Sequence, residues 1–222
     1  MIKAKKSLGQ NFLIDETVID KIVETTSINN KNVIEIGPGT GNLTKAILKK
    51  NPKKFFVVEK DNNLSMLLRE NFKDQIIIIN EDILKFNEKD LIKEKLIVFG
   101  NLPYNISTEI LCKWIVNLKN RDFWFDELIL MFQKEVAERI IAKFNTSNYG
   151  RLTILANWKL NVKKILVTIS KFFGSLISKK SSLGVKCKRV LSILGLGEKL
   201  PGYISQIFFT LSFQLAKIVK RP

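Results

Sequence analysis

A chain of 222 residues with 45% hydrophobic and 26% charged side chains has enough apolar material for one substantial core, which excludes a disordered protein. Its 37 Lys and Arg against 21 Asp and Glu give a formal net charge of +16, which points to a polyanionic partner, nucleic acid ahead of a membrane surface. The absence of His excludes His-based triads, His-ligated zinc and His general bases, so any chemistry must run on carboxylates, amides, hydroxyls, Lys or a cofactor.

The N-terminal MIKAKKSLGQNFL has no apolar stretch long enough for a signal peptide. Residues 15–25 place Val18, Ile19, Ile22 and Val23 on one helical face behind an Asp15 cap. NVIEIG (32–37) reads as a short buried strand and 40–50 as a helix; KFFVVEK (54–60) and 63–71 repeat the pattern. QIIIINED (75–82) and KLIVFGN (95–101) are two more β-branched runs ending in turn residues. Helical spacing of Ile110, Leu111, Trp114, Ile115 and Leu118 follows, then a fifth strand at 127–133 and a helix at 134–144. Strands alternating with helices of this length imply βαβ units: an α/β fold with a mainly parallel sheet and helices on both faces. Ligands bind outside the carboxyl ends of such strands, and the unusual residue clusters of this chain fall there.

The composition changes after about residue 165. Residues 161–222 hold 12 Lys and Arg and one acid, Glu198, leaving 25 of the 37 basic and 20 of the 21 acidic residues upstream. The uncharged stretch LPGYISQIFFTLSFQLA (200–216) contains Pro, Gly and Gln and reads as a buried or interfacial helix rather than a membrane span. Two cysteines, Cys112 and Cys187, are too few for a disulfide framework and fit a reducing, cytoplasmic compartment.

EIGPGTG (35–41) joins the first strand to the first following helix. Gly37, Gly39 and Gly41 let the backbone approach a ligand closely. A bare strand-to-helix turn would explain the glycines, but not the acids around them. Glu35 precedes the loop, and Glu59 ends the next strand, where an acid accepts hydrogen bonds from the ribose hydroxyls of a nucleoside cofactor. This leaves a dinucleotide or S-adenosylmethionine. The G-x-G-x-G spacing and the leading acid favour the latter, a cation with no pyrophosphate to cradle. Asp82 ends the third strand, placed to accept from an adenine amino group.

GNLPYNIS (100–107) then ends the fourth strand. The exocyclic amine of adenine is a poor nucleophile, because its lone pair is delocalised into the ring. Two acceptors on its N–H bonds, the Asn101 side-chain oxygen and the Leu102 carbonyl, would draw the nitrogen toward a tetrahedral state. Pro103 stiffens the turn, and the Tyr104 ring can stack on an extruded base.

EIGPGTG, Glu59, Asp82, NLPYNIST (101–108) and SLGQNFL (7–13) together resemble the ribosomal RNA adenine N6-dimethyltransferases, more closely those of the small subunit. FQKEVAERI (132–140) and YGRLTIL (149–155) extend the resemblance, which runs from about residue 5 to 165. It implies a Rossmann-like class I methyltransferase domain over 1–165, with residues 1–14 covering the cofactor and Gln10 and Phe12 in that cover. S-Adenosylmethionine would be the methyl donor, held by Asn11, Leu13, Gly37, Gly39, Glu59, Lys60, Asp82, Ile83 and Asn101. Asn101, Leu102, Pro103 and Tyr104 would form the catalytic clamp on the target base, with no metal. The substrate would be two adjacent adenosines near the 3′ end of small-subunit rRNA, in a ribosomal precursor, with no membrane partner and a monomeric enzyme. The alternatives are the related large-subunit rRNA methyltransferase of the macrolide-resistance type and a binding-only assembly factor with impaired catalysis.

The family continues with F-x-P-x-P-K-V-D-S, whose Phe faces the Tyr across the base. Here Phe173 is followed by no Pro through Ser178, and Lys179-Lys180-Ser181 stands in place of V-D-S. The final strand of the sheet therefore has no convincing candidate. A shifted reading frame of a Lys-rich gene would produce such a loss of acids; a divergent C-terminal region over 166–222, or a remnant of an rRNA-docking helical domain, is the other explanation.

Overall fold

The computed structural model describes residues 13–118, 123–169 and 212–220. The chain divides into a unit of residues 1–167 with 214–222 and a second of 168–213, and every strand and helix up to Lys159 belongs to the first. Helix α1 (Glu16–Val23) starts at Asp15, whose carboxylate accepts a hydrogen bond from the Val18 N–H at 3.2 Å. Then come β1 (Asn32–Ile36), α2 (Asn42–Leu48), β2 (Lys54–Val58), α3 (Asn62–Phe72) and β3 (Ile77–Ile79). They are followed by β4 (Leu96–Asn101), α4 (Ser107–Val116), β5 (Phe125–Gln133), α5 (Lys134–Ile140) and α6 (Arg151–Lys159).

The sheet order is β3-β2-β1-β4-β5-β7-β6, where β6 is Leu160–Ile169 and β7 is Ser212–Lys220. The first five strands are parallel. Alternation sorts their side chains onto two faces. Ile34, Ile36, Val98, Leu128 and Leu130 point into a core built with Ile110, Trp114 and Ile115 of α4, Ile140 of α5 and Ala156 of α6. Glu35, on the opposite face of β1, meets Thr44 of α2 instead. Both faces are thus covered, which is why these strands read as continuous apolar runs.

Two sequence expectations are corrected. A final strand had no candidate, yet β7 lies beside β5, with β6 outside it. The helix expected over 200–216 gives way to strand from Ser212 onward, while residues 200–211 lie outside the described ones. Only the last five residues of that run, Ser212–Ala216, lie in the strand, which goes on through Lys217 to Lys220, so the bounds of the uncharged run do not mark those of the element. Likewise the Lys163-Lys164 pair interrupts the alternation that would have marked β6. Among the described residues, no helix is long and apolar enough to cross a membrane.

Candidate active site

Chain order reverses direction between β1 and β4, and such a switch point opens a crevice at the carboxyl ends of the strands. The register pairs Ile36 with Gly100. The next residues, Gly37 and Asn101, therefore emerge side by side. Both line one cleft with Glu35, Pro38 and Gly39; Thr40, Asn42, Leu43 and Leu13 complete it.

The glycine loop is wound tightly enough to need its glycines. Gly37, Gly39 and Gly41 all have positive φ, at 66°, 58° and 87°. A Cβ on Gly41 would stand 2.6 Å from the Phe72 ring. The loop's N–H groups are directed inward: Gly37 donates to the Val58 carbonyl at 2.9 Å, Gly41 to the Pro38 carbonyl at 3.0 Å. Gly39 donates to Glu59 Oε2 at 3.4 Å. This loop offers little to a pyrophosphate.

Acids dominate instead. Glu35 is fully buried and accepts the Thr44 hydroxyl at 2.7 Å. Burial, and to a lesser degree the Glu59 charge, push its carboxyl up to about 8 against the single lowering bond from Thr44. Glu59 is 7% exposed at the end of β2, with Oε1 taking the Asp61 N–H at 2.9 Å. Burial raises its pKa too, against the bonds from Asp61 and Gly39. Asn80 anchors the same strand end by donating to the Glu59 carbonyl at 2.8 Å.

On the β3 side, Lys60 Nζ lies 2.7 Å from Asp82 Oδ2, and the Leu84 N–H donates to Asp82 Oδ1 at 3.0 Å. The Lys60 hydrogen bond, then that of Leu84, holds the Asp82 carboxyl below its ordinary range. Ile83 is buried, its carbonyl accepting from Lys113 Nζ at 2.7 Å. These three residues form one group at the β2–β3 strand ends, outside the lining of the β1–β4 cleft.

After Asn101 the chain turns sharply. Gly100 leaves no room for a Cβ, which would stand 2.8 Å from Leu102 Cδ2. The Leu102 side chain is buried, the Ile106 N–H donates to the Pro103 carbonyl at 3.1 Å, and the Ser107 hydroxyl donates to the Tyr104 carbonyl at 3.3 Å. Tyr104 is half-buried, and burial raises its phenol pKa. Asn11, Gln10, Phe12 and Phe173 lie outside the described residues.

The profile of the family described as Ribosomal RNA adenine dimethylase matches residues 1–181. The chain belongs to that family. It is 57% identical to "Ribosomal RNA small subunit methyltransferase A" of Pelagibacter ubique over 221 residues, covering 100% of this chain and 83% of that protein. A Wolbachia protein of the same name, from the subspecies of Drosophila simulans, is 45% identical over 169 residues, 74% of this chain and 60% of its own length. The crystal structure of a dimethyladenosine transferase from Plasmodium falciparum shares the fold, with a TM-score of 0.68 at 24% identity, covering 95% of this chain and 64% of that one.

Members of the adenine dimethylase family use S-adenosylmethionine, and this site suits it. The glycine-loop N–H groups spent inside the protein argue against a dinucleotide, and the carboxyls of Glu59 and Asp82 beside the strand ends suit the hydrogen-bond donors of a nucleoside. Sequence reasoning missed two supports of the site. Asn42 in the first turn of α2 donates to the Leu13 carbonyl at 2.8 Å, tying the N-terminal segment to the glycine loop. Thr44 holds Glu35. A polar residue one helical position from an apolar stripe was the available signal in both cases.

Proposed function

We propose that this chain transfers methyl groups from S-adenosylmethionine to the N6 amines of two adjacent adenosines near the 3′ end of small-subunit rRNA, giving N6,N6-dimethyladenosines. The observation that carries the chemistry is the single cleft lined by both Gly37 of the glycine loop and Asn101 of NLPY. The small-subunit substrate follows the name of the Pelagibacter relative. Bound at this cleft, the cofactor supplies an electrophilic methyl group.

The residues we assign to cofactor binding are Asn11, Leu13, Gly37, Gly39, Glu59, Lys60, Asp82, Ile83 and Asn101. The Asn101 side-chain oxygen and the Leu102 carbonyl accept from the two N–H bonds of the target amine, aiming its lone pair. Tyr104 stacks on the extruded adenine, and Pro103 limits the freedom of the turn. The N–H proton becomes acidic once the nitrogen carries positive charge, and it leaves to water. No strong base is required, in keeping with a chain that has no His. Residues 1–165 act as the catalytic domain, with 1–14 as cofactor cover, on a small-subunit precursor in the cytoplasm and as a monomer.

The test is incubation of the full chain with labelled S-adenosylmethionine and undermethylated small subunits, followed by mapping of the modified adenines. Label on two adjacent small-subunit adenosines is expected. Label confined to large-subunit rRNA would support the resistance-type alternative, and cofactor binding without incorporation the binding-only assembly factor.

A further inference from the structure

The β2–β3 side of the site is held from behind by a buried polar knot. Lys113, in the second turn of α4, directs Nζ to the Ile83 carbonyl at 2.7 Å, to the Phe86 carbonyl, and to Glu88 Oε1 at 2.9 Å. An ammonium has three donors, and all three are used. Trp114, the next residue, donates its Nε1–H to the same Glu88 Oε1 at 2.6 Å. Side-chain exposure is 17% for Lys113 and 5% for Glu88, so the pair is shielded from water and from salt. Trp114 in turn packs edge-on against Trp124 beside β5, with ring centroids 5.6 Å apart.

Two bonds from one side chain to backbone carbonyls fix the path of the segment from Ile83 to Phe86, immediately after Asp82. The same helix begins at Ser107, whose hydroxyl holds the Tyr104 carbonyl. One rigid element therefore holds the Asp82–Ile83 segment at one end and the NLPY turn at the other. Glu109 in α4 and Asn117 at its C-cap, four residues to either side of Lys113, are exposed, whereas Lys113 between them is turned in to the loop and bears the desolvation of a shielded ammonium. What offsets that cost is the set of three bonds to the loop that follows Asp82.

We propose that Lys113 is a positioning residue for the methyl-transfer reaction. It sets the Asp82–Ile83 segment against the Asn101–Tyr104 clamp, so that cofactor affinity depends on it without direct contact. This rests on the assignment of Asp82 and Ile83 to the cofactor site.

Lys113→Met keeps the length and loses the donors; Lys113→Arg restores cationic donors; Ile115→Val trims the adjoining core without removing a hydrogen bond to the segment. S-Adenosylhomocysteine binding by calorimetry, methyl-transfer kinetics and Tm are measured on the full chain. Lys113→Met should raise the Kd for S-adenosylhomocysteine and the KM for S-adenosylmethionine about tenfold, as expected for lost hydrogen bonds to a charged donor. kcat and rRNA affinity should change less than about threefold, and Lys113→Arg should recover most of the loss. Ile115→Val should lower Tm and leave Kd unchanged. If Lys113→Met binds S-adenosylhomocysteine as wild type does, the knot is only a structural brace and the proposal fails, whatever its Tm. Should Lys113→Met not fold, Lys113→Gln carries the test, being too short and with too few donors to reach all three acceptors: a raised Kd supports the proposal and an unchanged one overturns it. If wild type itself fails to bind S-adenosylhomocysteine, the cofactor assignment fails, and this proposal with it.

Discussion

Ile36 and Gly100 face each other across the parallel pair β1–β4, and this register alone sets Gly37 beside Asn101. A Cβ built on Gly37 would lie 3.7 Å from the Asn101 carbonyl oxygen. The glycine loop and the NLPY turn, 64 residues apart in sequence, are thus neighbours because two strand ends are level. The topology brings the two segments proposed to hold methyl donor and acceptor to one crevice without a long loop.

Replacing Asn101 tests the clamp directly. Asn101→Ala removes one of the two acceptors proposed for the target amine and leaves β4 intact. Turnover should fall about a hundredfold or more, the magnitude found when one preorganised polar group of an active site is lost. Labelled-methyl incorporation under saturating cofactor reads this out, with circular dichroism confirming the fold. Activity within about threefold of wild type would remove Asn101 from the mechanism.

The glycine loop makes a stability prediction with its own control. Gly41 has φ +87° and no space for a side chain, since a Cβ would meet Phe72 at 2.6 Å and Leu68 at 3.1 Å. Gly41→Ala should cost about 2 kcal/mol or more, from left-handed strain of about 1–2 kcal/mol plus the overlap. Gly150 has nothing within 4 Å of its Cβ position and an extended φ of −170°. Gly150→Ala should change stability by less than about 1 kcal/mol. Urea unfolding of the two variants compares them, and equal losses would contradict the geometry.

The parallel core was legible because β1, β2 and β4 are β-branched or aromatic runs followed at once by turn residues. The acids at 35 and 59 stood out because charge beside a buried strand has few structural explanations, and both are buried, whereas Asp82 lies three residues past β3 and is only partly buried. Other features were hidden for physical reasons. β6 carries Lys163 and Lys164 side by side, both exposed, so its alternation breaks where the eye would look for it. β7 pairs next to β5 across an interval of nearly 80 residues, and no local pattern announces so distant a partner. The Lys60–Asp82 bond was hidden because it joins two strand ends whose side-chain directions depend on backbone turns. Glu88 was unremarkable in a charged loop, and only folding places it against Lys113 and Trp114.

The ring of Tyr104 should matter more than its hydroxyl. Burial raises the phenol pKa, so the group stays neutral through any usable pH and cannot act as a base. Tyr104→Phe should retain most of the activity. Tyr104→Ala should lose the stacking contact, worth about 1–3 kcal/mol per base, seen as a rise in KM for the RNA or a fall in kcat. Steady-state kinetics on small subunits separates the two, and a Phe variant as impaired as the Ala variant would assign the role to the hydroxyl.

Glu35 gives a pH dependence whose sign is fixed by its burial. Its carboxyl titrates at about 8 in the folded chain against 4.5 as the reference value. Between those values the unfolded chain has lost this proton while the folded chain retains it. The contribution to stability is therefore complete below pH 4.5 and declines as pH rises toward 8, by about 1.4 kcal/mol per pH unit. Glu59, also raised, acts in the same direction. Glu35→Gln keeps the size and an acceptor for the Thr44 hydroxyl but has no proton to lose. Its unfolding free energy should exceed that of wild type by more at about pH 7.5 than at about pH 5.5. Urea titrations at both values measure the difference. Parallel pH profiles for the two proteins would mean that Glu35 is ionised in the fold, with a cation or water beside it that offsets its burial.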